Sequence, residues 1–134
     1  MKSISLENQV NKELLSVFSD LDNIGIDIVN IIRFKKLEYK KNKIFYEKIF
    51  NKEEIKYCLK FKDPSPHFAG KFAVKESVRK CVGKSIKFVD IITTHRKSRP
   101  KVKIKNQPQY SFEISISHEK NVAVAVVLCE KLIS

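Results

Sequence analysis

The stretch 23–29, Asn-Ile-Gly-Ile-Asp-Ile-Val, sets Ile24, Ile26 and Ile28 on one face of an extended chain and Gly25, Asp27 and Val29 on the other. Alternation of this kind is the period of a β-strand, and an acid inside such a strand calls for a reason. Directly downstream the period changes. Over 31–48, Ile32, Leu37, Ile44 and Phe45 recur near helical spacing among many lysines, and Asn51 is placed to cap a further helix over 52–59. Pro64 and Pro66 make 62–67 a loop, because they restrict their predecessors and withhold donors. Helix resumes at Phe68 and runs to Val82, with Gly83 at the left-handed position that ends helices. Strands are predicted over 85–92, 101–105, 110–117 and 122–129, parted by turns at SRP, NQPQ and HEKN. One strand, a block of helices and a run of strands make an α+β fold, a helical block packed on a mainly antiparallel sheet. In front of it Leu6, Val10, Leu14, Val17 and Phe18, behind Ser5, read as an amphipathic helix. The chain thus divides into a helical extension, 1–20, and one domain, 21–134.

A length of 134 residues supports one modest core. Lys and Arg number 27 against 15 acids, a formal charge of +12, which suits an anionic partner: nucleic acid, a membrane surface, a phosphorylated cofactor or an acidic protein. Only four of the cations are Arg, the better planar reader of phosphates, so residue bias accounts for some of the excess. Cys58, Cys81 and Cys129 form no CxxC pair and have no His at ligand spacing, so neither a disulfide framework nor a zinc site is expected, and the compartment is read as reducing. No stretch approaches the ~18 apolar residues of a membrane span. A cytoplasmic protein without a membrane partner is the expectation.

Three groups of residues carry potential chemistry. Asp27 lies in the first strand, and Glu76 and Lys80, four apart, share one face of the central helix. Two carboxylates from different elements are a usual protein share of a Mg²⁺ shell, which keeps waters and takes its other ligands from substrate phosphates. The plainer reading is a strand-end acid and a surface ion pair. Lys71, Lys75, Arg79, Lys80 and Lys84 gather five cations around Phe68 and Phe72, which suits a phosphate-rich ligand or, more plainly, a solvated helix face. Ser115, Ser117 and His118 end a strand at a turn, where they could contact phosphate oxygens; a Ser/His hydrolase lacks its nucleophile elbow and a third member.

Four segments in order, GIDIVNIIRF at 25–34, IFNKEEIKYC at 49–58, FAGKFAVKESVRKCVG at 68–83 and SISHEKNVAVAVV at 115–127, together resemble the holo-acyl-carrier-protein synthase group of 4′-phosphopantetheinyl transferases, over about residues 23–130. The resemblance implies the single-copy fold of that group. It also implies transfer of the 4′-phosphopantetheine arm of coenzyme A to a serine of an acidic apo acyl carrier protein, releasing adenosine 3′,5′-bisphosphate. By the same resemblance Asp27 and Glu76 are the Mg²⁺ ligands, and Lys80 reaches the coenzyme's pyrophosphate. Glu76 and Lys80 are the catalytic pair, with a water or Glu76 taking the serine proton. Lys71, Lys75, Gly83, Ser117 and His118 are implied to contact the coenzyme. Arg33 falls on the carrier-docking helix, with Lys36 and Lys40, and Lys35, Lys41 and Lys43 nearby, as further cations that would steer an acidic carrier. The group's compact members are trimers with active sites at subunit boundaries, and the same homotrimer is expected here.

Departures from the group's pattern are Asn30 in place of a glutamate, Lys84-Ser85 after Gly83 in place of a Gly-Thr-Gly-like turn, a Gly-x-Pro-like hairpin reduced to Ser98-Arg99-Pro100, and the N-terminal extension. Asn30 and the altered turn motivate one alternative, a homologue that binds coenzyme A or carrier protein without chemistry. The charge motivates another, a small basic nucleic-acid-binding domain, against which no RRM, KH or zinc signature is found. Residues 33–62 hold eleven cations against four acids, and 95–105 hold six cations and no acid, the latter with no assigned partner.

Overall fold

The computed structural model describes residues 8–10 and 23–132. The helix expected over 6–18 lies almost wholly outside the described residues, and 8–10 are helical. Strand β1 (Asn23–Asn30) leads to α1 (Ile32–Lys36), a 3₁₀ turn at Tyr39–Lys41, α2 (Lys43–Ile49), α3 (Lys52–Leu59) and the long α4 (Ser65–Val82). A second 3₁₀ turn, Phe88–Asp90, precedes β2 (Ile91–Arg96), β3 (Arg99–Ile104), β4 (Tyr110–Glu119) and β5 (Val122–Lys131). The strands form an antiparallel sheet in the order β1-β5-β4 and an antiparallel hairpin β2-β3. The α+β fold with a mainly antiparallel sheet is the observed architecture.

Helix α4 lies across the inner face of the larger sheet, and small residues let it approach. Gly25 is where a side chain is excluded: a Cβ there would stand 2.0 Å from the Ser77 carbonyl oxygen of α4. Beside it Ala123, Ala125 and Val127 of β5 are fully buried, and the Ser77 hydroxyl donates to the Ala125 carbonyl (3.2 Å). The other side of the helical block is aromatic, with Phe34, Tyr46, Phe50 and Phe68 buried and in mutual edge and tilted contact.

Four expectations are corrected. The helix read over 31–48 is three short pieces. Glu38 is extended, and the carbonyl of Leu37, freed from helical pairing, accepts the buried Tyr46 hydroxyl instead. Lys36 and Lys40 therefore stand on separate elements. Helix α4 begins at Ser65 rather than Phe68, because Pro66 falls in the first turn, where no N–H is needed. The strand read over 85–92 begins only at Ile91: the carbonyls of Ile86 and Phe88 accept from Arg79 Nε (2.7 Å) and Lys75 Nζ (2.9 Å) of α4. Finally, Cys81 of α4 and Cys129 of β5, 48 residues apart and 6.2 Å between Cα atoms, are joined in a disulfide, where none was expected; Cys58 is free and buried. Helices at 3.6 residues per turn and strands at two bring these distant cysteines face to face, which no local spacing reveals.

Candidate functional site

β1 and α4 build the centre of the site. Because Gly25 lets the helix press against the strand, the next inward residue of β1, Asp27, comes under α4. Lys80 closes the contact, its ammonium donating to Asp27 Oδ1 (3.0 Å) and the Ile26 carbonyl (2.9 Å). Asp27 is largely covered while Lys80 stays half exposed. Glu76, partly buried, lies one turn before Lys80 on the same stripe of the helix, and Phe72 one turn before that. The Arg33 guanidinium of α1 sits 5.8 Å over the Phe72 ring, so the cationic end of α1 adjoins this stripe. Lys36 and Lys40 are exposed. Asn30 works locally, its side chain accepting from the Ile32 amide (3.0 Å) at the entry to α1.

The expected coenzyme contacts divide. Lys71 is buried, its ammonium donating to Thr93 Oγ1 (3.0 Å) and lying 4.7 Å over the Tyr57 ring. It still has protons for a ligand. Lys75 does not: it has no exposed surface, and its three protons go to Glu54 Oε1 (2.7 Å), the Ile49 carbonyl (2.8 Å) and the Phe88 carbonyl (2.9 Å). Its expected phosphate contact is replaced by a structural one, tying α2, α3 and the 3₁₀ turn to α4. Burial pushes both ammonium groups below the usual lysine range, against the pull of Glu54. Ser117 and His118, read as a pair, point to opposite faces of β4, as neighbours in a strand must. His118 joins Ile116 and Gly70 in a cavity on the helix side, and Ser117 lies on the outer face. Gly83 ends α4 in the left-handed conformation (φ 73°), exposed beyond Lys80.

Glu54 is not among the residues to which the sequence points, yet it organises this region. It forms a capping box with Asn51 (2.9 and 2.8 Å) and pairs with Lys75, and its second oxygen accepts from the Thr93 amide (2.8 Å) and hydroxyl. The spacing Asn51-x-x-Glu54 is the signal that could have found it. Two larger grooves, of about 830 and 780 Å³, are lined by Phe50, Ile55 and Leu59 and by Phe34, Tyr46 and Phe68. Neither is lined by Asp27, Glu76 or Lys80.

The 4′-phosphopantetheinyl transferase superfamily profile matches residues 23–127, the span that carries Asp27, Glu76 and Lys80. The chain belongs to this superfamily. Holo-[acyl-carrier-protein] synthase of Thermodesulfovibrio yellowstonii is 39% identical over 112 residues, covering 81% of this chain and 97% of that protein. The synthase of Chlorobaculum parvum is 33% identical over 117 residues, with 81% and 98% covered. Among solved structures, the Helicobacter pylori synthase in complex with coenzyme A superposes with a TM-score of 0.71 at 33% identity, covering 80% of this chain and 99% of that one. The Bacillus anthracis synthase with CoA (3′,5′-ADP) gives 0.72 at 30% identity, with 83% and 97% covered.

The carboxylates of β1 and α4 are oxygen donors, the kind a hard divalent cation takes. Asp27 and Glu76 are carboxylates on adjoining elements, Lys80 binds one Asp27 oxygen, and no group of three or more ligating side chains occurs among the described residues. Such a pair leaves positions for water and for phosphate oxygens of a substrate.

Proposed function

We propose that the chain is a Mg²⁺-dependent holo-[acyl-carrier-protein] synthase, transferring the 4′-phosphopantetheine group of coenzyme A to a serine of an apo acyl carrier protein in the cytoplasm and serving fatty-acid biosynthesis. The observation that carries this reading is the convergence of Asp27, from β1, with Lys80 and its stripe-mate Glu76, from α4, in a chain that spans nearly the full length of synthase relatives. Asp27 and Glu76 would hold the metal, which when bound supplies positive charge to the phosphoryl oxygens. Lys80 lies beside the same carboxylate and neutralises charge on the departing phosphate. The carrier serine oxygen forms a bond to the β-phosphorus as the bond to the bridging oxygen breaks. Adenosine 3′,5′-bisphosphate leaves, and the serine proton goes to Glu76 or a water beside it. Lys71, Gly83 and His118 are proposed coenzyme contacts. Arg33, Lys36 and Lys40 dock the acidic carrier close to the Phe72–Glu76–Lys80 stripe.

The outer face of the sheet supports a homotrimer with sites between subunits. Ile24, Ile26 and Ile28 are 59, 53 and 67% exposed, and in register beside them Leu128, Val126 and Val124 of β5 complete an apolar surface. A monomer rarely leaves such a surface open. Ser117, opposite Val124 on this face, would then serve a site shared with a second copy. Residues 1–20 are assigned as an extension to the domain over 21–134. Asn30 accepts from the Ile32 amide at the start of α1.

The test is incubation with apo carrier protein, coenzyme A and Mg²⁺, followed by mass spectrometry of the carrier. Phosphopantetheine on its serine is the expected result. Absence of the adduct across carriers from fatty-acid and other pathways would refute the reading.

A further inference from the structure

The three histidines of the chain, His67, His95 and His118, line one cavity of about 460 Å³, although 28 and 23 positions separate them in sequence. They come from the first turn of α4, from β2 and from β4. His67 stacks on Phe61 (3.5 Å between centroids), His118 lies 6.5 Å from His67, and His95 stacks on Tyr57 (4.6 Å). Lys71 is in the same wall, and no carboxylate lines the cavity. Ser98 and Pro100 form its lip. They belong to the turn and third strand of the β2–β3 hairpin, whose Arg96, Lys97, Arg99, Lys101 and Lys103 are all exposed. In the hairpin register His95 pairs with Pro100 on the cavity side, while Arg96, Arg99, Lys101 and Lys103 lie on the opposite face.

The charges facing the imidazoles come from each neighbouring element. Asp63, in the loop before α4, favours the charged form of His67, while His118 of β4 and Lys71 of α4 oppose it. Behind His95 lie Lys71, His67 and, from α3, Glu53, Glu54, Lys56 and Lys60. Glu54 is committed to Lys75 and Thr93. Burial and these cations together hold both His67 and His95 below the ordinary histidine range.

We propose that His67 and His95, with His118 and Lys71, form a proton-coupled phosphate subsite: a phosphate-bearing group entering the cavity draws a proton onto His67 and His95, so that binding takes up protons. The inference rests on the reading that the site serves coenzyme A, whose phosphate-bearing end is the ligand. An anion within ~4–6 Å favours imidazolium and reverses the effect of burial. Protonation also gives each ring a second N–H donor. The bound state then holds more protons than the free state. Affinity rises as pH falls between the bound and free histidine midpoints, until the phosphate takes up its own second proton near pH ~6. His67 and His95 are positioning residues for binding, not groups that act on the reacting phosphorus.

Histidine ring protons followed by NMR from about pH 5 to 8.5, with and without adenosine 3′,5′-bisphosphate, test this directly. With three histidines in the chain, the single substitutions His67→Gln, His95→Gln and His118→Gln assign every signal. The expected result is that His67 and His95 titrate below the ordinary range in the free protein and rise by about one pH unit when the bisphosphate binds. The double variant H67Q/H95Q should raise KM for coenzyme A about tenfold at pH ~6.5 and by much less at pH ~8.5, a pH dependence that a merely structural defect would not produce. Bisphosphate binding with both midpoints unmoved overturns the inference and leaves the transferase reading standing. Failure of the wild type both to transfer and to bind the bisphosphate sinks the two together.

Discussion

Where α4 crosses β1 and β5, the two faces of the sheet carry opposite residue sizes; β4 has the reverse pattern, with Phe112, Ile114 and Ile116 packed inward and Ser115 and Ser117 outward. The inner face, against α4, is built from Gly25, Asp27, Ala123 and Ala125, whereas the outer face presents Ile24, Ile26, Ile28, Val124 and Val126. Ordinary amphipathic strands bury the larger set. Here the smaller set lies under α4, whose close approach lets Lys80 reach Asp27, and the bulk is left exposed. In the proposed function closeness serves the chemistry and breadth serves assembly, on one strand with a period of two.

The largest effect should come from removing the inner acid. Asp27→Ala is expected to lower transfer by roughly 10³-fold, about 4 kcal/mol of transition-state stabilisation, with the circular dichroism spectrum unchanged. Glu76→Ala should behave alike, and full activity in either would dissolve the proposed metal pair. Next is the inner glycine. Gly25→Val forces atoms into the Ser77 carbonyl, and urea unfolding should show a loss of about 3 kcal/mol, the upper end of ordinary overpacking. A fully stable variant would mean that β1 and α4 are not in close contact.

On the outer face Ile26→Lys should leave the secondary structure intact while light scattering reports dissociated chains. Transfer should fall about tenfold, about 1.4 kcal/mol, as the shared sites come apart. An assembled, fully active variant would leave the isoleucine face without its proposed role. The smallest effect is expected away from both faces. Arg33→Glu with Lys36→Glu should raise KM for the carrier about fivefold, about 1 kcal/mol, at low salt, and the difference should shrink as salt is added. A change in KM for coenzyme A instead would move the docking surface elsewhere.

Much of this is legible in the sequence alone. The alternation at 23–29, the capping Asn51 and the terminal Gly83 are local signals, and each produced its element. Pro66 misled because a proline reads as a breaker unless its place in the first helical turn is known. The break at Leu37 was hidden because its cause, the Tyr46 hydroxyl, is nine residues away. Lys75 looked like Lys71, a cation on a basic helix, yet a full set of buried acceptors awaits Lys75, whereas Lys71 meets a single hydroxyl and an aromatic face. Ser117 and His118, adjacent in sequence, were parted by the pleat.

By itself the sequence determined the order of elements and their kinds, the separation of Asp27 from Glu76 and Lys80 by a helical block, and an excess of positive charge. These depend on periodicity, on caps and on the ionic character of side chains, which act within a few residues. Only the tertiary structure decided which strand face is buried, which lysine remains free for a ligand, that Cys81 meets Cys129, and that His67, His95 and His118 share one cavity. Those outcomes depend on close packing and on the shared satisfaction of buried polar groups, which join residues that the chain keeps far apart.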